Sequence, residues 1–142
     1  MKTSVAVFAI LLVMVTSIAI FWALQLGLEL ISEQAVRHEQ ERKQKIDLAT
    51  KELQELEFAA TIYDLSYGYY PDSLALLAKS KRDGGKELII ESLLTDPWGR
   101  LYRYERDKRH PQSNKPLIYT QGPDPADPKA KITNWDVFDK KK

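Results

Sequence analysis

The chain begins with an apolar run that is long enough to cross a lipid bilayer. Val5 to Leu24 is a stretch of about twenty residues without a charged side chain, and at about 1.5 Å of rise per residue a helix of that length spans roughly the 30 Å hydrocarbon core. A cleaved signal peptide has a shorter apolar region, about 7–15 residues, that ends at small residues, whereas this run ends close after Phe21-Trp22. The pattern predicts an uncleaved transmembrane anchor in contact with lipid.

A second helical pattern follows the anchor. The first proline of the chain is Pro71, so no proline forces the helix to end earlier. Apolar positions recur after the anchor at intervals of three and four residues, which places one narrow stripe on one side of a helix. The stripe consists of Ile46, Ala49, Leu53, Leu56, Ala60 and Tyr63. It is shorter than three heptads, so packing on the chain's own domain is favoured over a coiled-coil seam.

The region after Gly68 has the pattern of short elements separated by turns. "PDSLALLAKS" predicts a short helix with Asp72 or Ser73 as its N-cap. In "TDPWGR" the side chains fit the four positions of a type I turn. Those positions are Asp96, Pro97, Trp98 and Gly99.

Alternation of polar and apolar residues predicts strands after this turn. "RLYRYE" places Tyr102 and Tyr104 on one face, which is the period of a half-buried strand. "PLIYT" predicts a second strand, and "ITNWDVF", which contains Trp135, predicts a short third one. The sequence therefore predicts an α+β fold in which a long N-terminal helix covers one face of a small antiparallel β-sheet. We expect Trp98 and Trp135 to be core aromatic residues.

Composition excludes several classes of function. Lys and Arg number 21 against 20 Asp and Glu, so the chain lacks the concentrated positive charge that nucleic acid requires. There is no cysteine, which excludes disulfides and thiol catalysis. His38 and His110 have no partner at a metal-ligand spacing, and neither a phosphate-binding glycine loop nor a nucleophile elbow occurs. We therefore expect neither an enzyme nor a nucleic-acid-binding protein.

An ordered set of motifs between Tyr69 and Asp136 resembles one family. "YYPDSLALL", "LLTDPWGRLYRY", "YTQGPDP" and "ITNW" occur in the same order as in the major pseudopilin of bacterial type II secretion, the G subunit. The resemblance implies a pseudopilin-like fold, in which a transmembrane helix continues into the periplasm and packs on the C-terminal sheet. The turn at Asp96 to Gly99 then forms the corner at which that sheet starts.

The resemblance also implies a function and a location. It implies a structural, single-pass inner-membrane protein of a type II secretion-type system that takes part in protein export across the outer membrane. Its partners would be other pseudopilin-like subunits or membrane proteins of the secretion platform. On this reading residues 1–4 are a short cytoplasmic N-terminus, 5–31 the transmembrane helix, 32–66 its periplasmic continuation, and 67–142 the C-terminal periplasmic region. The alternative is a stand-alone anchored periplasmic interaction module that keeps the fold without assembling into a filament.

The loop that binds calcium in the family is only partly matched. In the family, loop carbonyls join the Asp of a Gly-x-Asp motif and a carboxylate shortly before Ile-x-Asn-Trp. Here Asp124 matches the first Asp and Gln121 holds a carbonyl position, but Lys131 stands directly before Ile132. One hypothesis is a degraded site, in which the Lys131 ammonium replaces the cation and pairs with Asp124. The other is that Asp127 substitutes as a calcium ligand, since calcium takes six to eight oxygen atoms. We favour the degraded site and expect no cofactor.

We expect the N-terminus of the chain to remain unprocessed. The family's leader has a Gly at the peptidase site and a Glu at the fifth place of the apolar run, and "KTSVAVFAILL" has neither. The intact mass of the membrane-extracted protein tests this expectation. A mature form that begins at a methylated residue near the apolar run would contradict it.

Overall fold

The computed structural model describes the backbone of residues 2–81 and 85–139, and the side chains of residues 14–81 and 85–136. Two compact units are present, Met1–Glu41 and Arg42–Lys142. Helix α1, Lys2–Tyr67, contributes to both.

The first unit contains the predicted membrane anchor. From Met14 onward its large apolar side chains are mostly exposed to more than half of their area, Phe21 and Trp22 among them. The helix is long and apolar enough to cross a membrane, by its length and composition. Apolar side chains that no protein covers are those that a lipid-facing helix presents. The prediction of a single membrane-spanning helix is confirmed on this basis, although the part of the apolar run before Met14 lies outside the residues with described side chains.

The second unit combines the C-terminal part of α1 with short helices and a three-stranded sheet. Its other elements are α2 (Leu74–Lys79), a 3-10 turn (Glu91–Leu94), β1 (Arg103–Arg109), β2 (Pro116–Thr120), a second 3-10 turn (Pro128–Ala130), β3 (Ile132–Thr133) and α3 (Asn134–Asp139). The strands lie in the order β1-β2-β3 and both pairs are antiparallel. The α+β class that the sequence predicts is therefore confirmed.

The apolar stripe of α1 forms one side of the core. Leu53, Leu56 and Ala60 are fully buried, and only Ile46 of the predicted stripe is half-buried. The stripe residues from Leu53 onward belong to one buried cluster with residues of α2, of the segment before the corner and of the sheet. That cluster includes Leu74, Leu77, Leu88, Ile89, Leu93, Tyr102 and Ile118. Since full burial of a Leu side chain contributes about 1.5–3 kcal/mol, this helix contributes a large part of the unit's stability.

Polar side chains on α1 also bond to residues that directly flank the strands of the sheet. The Tyr102 hydroxyl donates to Glu52 Oε2 at 2.6 Å, and Asn134 Nδ2 donates to Glu57 Oε2 at 2.7 Å. Lys115 Nζ donates to the other oxygen of Glu57 at 2.5 Å. Asn134 is itself buried, and its Oδ1 accepts from the backbone N–H of Ile118 at 2.9 Å. These bonds join the helix to residues that flank the strands, and through Asn134 to β2.

Burial changes the titration of the two tyrosines that the sequence places on one face. It raises the pKa of Tyr102, and the hydrogen bond to Glu52 raises that pKa further. Burial also raises the pKa of Tyr104 to about 12, and the Tyr104 hydroxyl donates to the Pro71 carbonyl at 2.9 Å. Leu101, on the other face, is 69% exposed, so the predicted alternation is confirmed.

The third strand is shorter than the sequence pattern predicts. Strand β3 contains only Ile132 and Thr133, and the chain turns into helix α3 at Asn134. The Thr133 backbone N–H donates to Asp136 Oδ2 at 2.8 Å, and the Asp136 N–H donates to Thr133 Oγ1 at 3.1 Å. This reciprocal pair is a capping box, which starts a helix, and it explains why "NWDVF" is helical.

Both tryptophans of the C-terminal region are half-buried, and neither belongs to the buried cluster. The expectation that they are core residues is therefore not met. The ring of Trp98 lies 5.8 Å from the guanidinium carbon of Arg100. The ring of Trp135 contacts His110 edge-on, with ring centroids 5.3 Å apart. Both therefore pack at the margin of the unit, against polar neighbours.

Candidate functional site

The corner at Asp96 is organised by one buried carboxylate. Asp96 is 4% exposed, and its Oδ1 accepts from the backbone N–H groups of Trp98 at 3.0 Å and Arg100 at 2.8 Å. The Gly99 N–H donates to the Asp96 carbonyl at 2.9 Å, which closes the turn that "DPWG" predicts. An Asp side chain that bonds the backbone two residues ahead is a common way to fix such a turn.

The second oxygen of Asp96 connects the corner to the loop that follows β2. Oδ2 accepts from Thr120 Oγ1 and lies 3.4 Å from Arg100 Nε. Thr120 Oγ1 accepts in turn from the Gly122 N–H at 3.2 Å. The Arg100 guanidinium donates to the Gly122 carbonyl. Asp96, Arg100, Thr120 and Gly122 thus form a closed ring of contacts, and the buried carboxylate has the donors that its burial requires.

Gly122 sits where two parts of the loop meet. Its φ is +72°, a conformation that residues with a side chain rarely adopt, and a Cβ atom there would lie 1.8 Å from the Ala130 carbonyl oxygen. Only glycine permits this approach without movement of the backbone. The loop from Gly122 to Ala130 is therefore closed at its base by backbone contact.

The predicted calcium ligands lie in this loop but bond to the loop's own backbone. Asp124 Oδ1 accepts from the Ala126 N–H at 2.9 Å, and Asp127 Oδ1 accepts from the Lys129 N–H at 2.9 Å. Gln121 and both Asp residues are exposed. Within the described part of the chain no three His, Cys, Asp or Glu side chains group together as metal ligands.

Lys131 lies over an aromatic ring and not beside Asp124. Its Nζ is 3.7 Å from the centroid of the Tyr119 ring, a cation–π contact. The positively charged group that does bond to this loop is the guanidinium of Arg100, which donates a hydrogen bond to the Gly122 carbonyl. The pairing of Lys131 with Asp124 that the degraded-site hypothesis includes is therefore not formed, and the absence of calcium binding stays a prediction. Sequence reasoning missed Arg100, although its place directly after Gly99 in "DPWGR" brings it to the corner.

The fold and the corner together are those of an α+β, pseudopilin-like chain with a long apolar N-terminal helix. The family model for type II secretion system protein G matches residues 37–135, a range that contains the stripe of α1, the Asp96 corner and the loop. Because the match covers more than half of the chain, the protein belongs to the type II secretion system protein G family. No curated protein and no solved structure matches the chain.

We predict that Gly122→Ala destabilises the protein more than Gly99→Ala does. Gly99 has a similar φ of +81° but no atom within 4 Å of an added Cβ, so its replacement costs only the conformational strain of about 1–2 kcal/mol. Gly122→Ala adds the overlap with Ala130. For a unit of about 100 residues each kcal/mol lowers Tm by about 4–8 °C. Thermal unfolding followed by circular dichroism measures the difference, and equal losses in Tm would show that the close approach is not as described.

We also predict that calcium leaves the stability of the protein unchanged. An intact site at a hundredfold excess of calcium over Kd would add about 2.7 kcal/mol, and hence raise Tm by more than about 5 °C. Tm should instead be the same in millimolar calcium and in excess chelator. Lys131→Asp, which restores a carboxylate before Ile132, should create calcium dependence. A large calcium shift in the unmutated chain would overturn the degraded-site hypothesis and make Asp124 and Asp127 ligands.

Proposed function

We propose that this protein is a structural subunit of a type II secretion-type system and takes part in export of proteins across the outer membrane. In this proposal α1 anchors the chain in the inner membrane by a single pass, and the C-terminal unit lies in the periplasm. Its partners are other pseudopilin-like subunits. The observation that carries the proposal is the family match over residues 37–135, together with the apolar helix that precedes the matched unit.

The internal architecture supports a structural role. The polar groups at the corner bond to one another and to the backbone, and in the described residues they do not assemble a nucleophile, a base and an oxyanion site in one cleft. Several large apolar side chains of the second unit are exposed instead. They include Leu48, Phe58, Leu65 and Ile90. Large apolar side chains that a folded unit leaves exposed are candidates for contact with another protein.

The stand-alone anchored module remains the second candidate function. It is favoured by the apolar run itself, which has no Glu at its fifth place. In the family that Glu is a charge within lipid, which would be costly without a partner group. A chain without this Glu lacks one of the contacts between subunits. The surfaces of its second unit are unchanged by that loss.

We predict that removal of the protein lowers export by its secretion system, and that two differently tagged full-length copies purify together from detergent extracts. Secreted protein in the culture medium measures the first effect, and affinity purification of one tag followed by detection of the other measures the second. A reporter enzyme that is active only in the periplasm, fused after residue 142, tests the orientation. As a control, an unrelated single-pass protein with the second tag is expressed at the same level.

Unchanged export together with copies that never purify together would contradict the subunit proposal and favour the stand-alone module. An inactive reporter after residue 142, with an active one before residue 5, would contradict the proposed orientation.

A further inference from the structure

Three tyrosine rings contact one another where α1 ends. Gly68 has a φ of +81°, the left-handed conformation that commonly ends a helix, and the chain turns there. The Tyr69 ring lies edge-on to that of Tyr63, with centroids 5.9 Å apart, and its centroid is 6.4 Å from that of Tyr67. Tyr69 is nonetheless 55% exposed. Two neighbouring rings therefore support a third ring, more than half of which faces solvent.

Tyr69 lines a cleft between the end of α1 and the end of strand β1. The volume of this cleft is about 740 Å³, which lies within the range of about 300–1,000 Å³ that is typical of small-molecule sites. The cleft therefore combines an exposed aromatic ring with charged side chains. Its charged side chains are Asp64, Asp72, Arg106, Asp107 and Arg109.

The positive charges of the cleft already have partners within the protein. The Arg106 guanidinium donates to Asp72 Oδ1 and, from Nε, to Asp107 Oδ1 at 3.3 Å. The guanidinium carbon of Arg109 lies 4.4 Å from the centroid of the Tyr70 ring, which is a cation–π contact. Three carboxylates against two guanidinium groups leave the cleft close to neutral.

This balance disfavours several classes of ligand. An anion would face three carboxylates, and a cation would compete with Arg109 for the face of Tyr70. An apolar molecule would remove charged groups from water without replacing their hydrogen bonds, which is costly. A neutral carbohydrate avoids each of these costs. Its hydroxyl groups both donate and accept hydrogen bonds, and its C–H faces pack on the negative face of an aromatic ring.

We propose that this cleft binds a neutral carbohydrate chain. One sugar ring packs on the exposed part of Tyr69. The hydroxyl groups of that sugar donate to the carboxylates of Asp64 and Asp107 and accept from the guanidinium of Arg109. The inference concerns the second unit alone and goes beyond the proposed function, on which it does not depend.

Titration calorimetry of the full chain tests the proposal, in a detergent whose headgroup is not a sugar. The probes are β-1,4-linked hexamers of N-acetylglucosamine and of glucose, and an acidic hexamer of galacturonic acid is the control ligand. We expect at least one neutral hexamer to bind and the acidic hexamer not to bind. Binding of the N-acetylglucosamine hexamer alone supports an amino-sugar polymer as the source of the ligand, and binding of the glucose hexamer alone supports a glucan.

Substitutions at Tyr69 test where the chain binds. Tyr69→Ala should raise Kd by about tenfold or more, because it removes an aromatic anchor of the contact. Tyr69→Phe keeps the ring and should bind as the unmodified chain does. The matched control is Phe58→Ala, since Phe58 is 61% exposed but lies outside the cleft, and it should leave Kd unchanged. Circular dichroism of each variant confirms that the fold is kept.

Salt provides a further measurement, because a neutral ligand has no net charge for salt to screen. Kd for the neutral hexamer should be the same at low and at high salt. A Kd that rises steeply with salt, or tighter binding of the acidic hexamer, overturns the neutral ligand. Absence of binding by both neutral hexamers, or unchanged binding by a folded Tyr69→Ala chain, overturns the site. These results are independent of whether copies of the chain purify together, so this inference and the proposed function fail separately.

Discussion

Burial of one face of α1 is the constraint on which the second unit depends. Leu53, Leu56 and Ala60 are fully buried, and the sheet alone would have a face without cover. The helix supplies that cover, and the bonds from Glu52 and Glu57 to Tyr102 and Asn134 hold it in register. Because a helix can bury only one stripe on its own domain, its opposite face is available for other proteins.

A second, more local constraint shapes the end of the sheet. The buried carboxylate of Asp96 needs donors, and it takes them from the corner itself and from Thr120 at the end of β2. Arg100 then bonds to Gly122, so the corner and the loop after β2 are connected by side chains of this chain. In this arrangement a guanidinium supplies positive charge at a carbonyl of the loop in which the family holds calcium.

Features set by local pattern could be predicted from the sequence. The stripe of α1 follows from apolar spacing, the corner from the turn preferences of Asp, Pro and Gly, and the faces of Tyr102 and Tyr104 from alternation. Features set by contact between distant residues could not. The Arg100 bond to Gly122 joins positions 22 residues apart. The Lys131 ammonium lies over the Tyr119 ring only when β2 and β3 are paired. The capping box at Thr133 is a local signal for the start of a helix. The residues before it have the pattern of a strand, so the sequence predicts a strand over the whole segment.

We infer that this chain is a subunit that assembles through surfaces its own fold leaves exposed. Electron microscopy of cells that overproduce the full chain together with its secretion system tests this most directly, with an antibody against residues 42–142 as the label. Fibres that carry the label along their length are the expected result. Label confined to the inner membrane, with no labelled fibre in any of these cells, would contradict it.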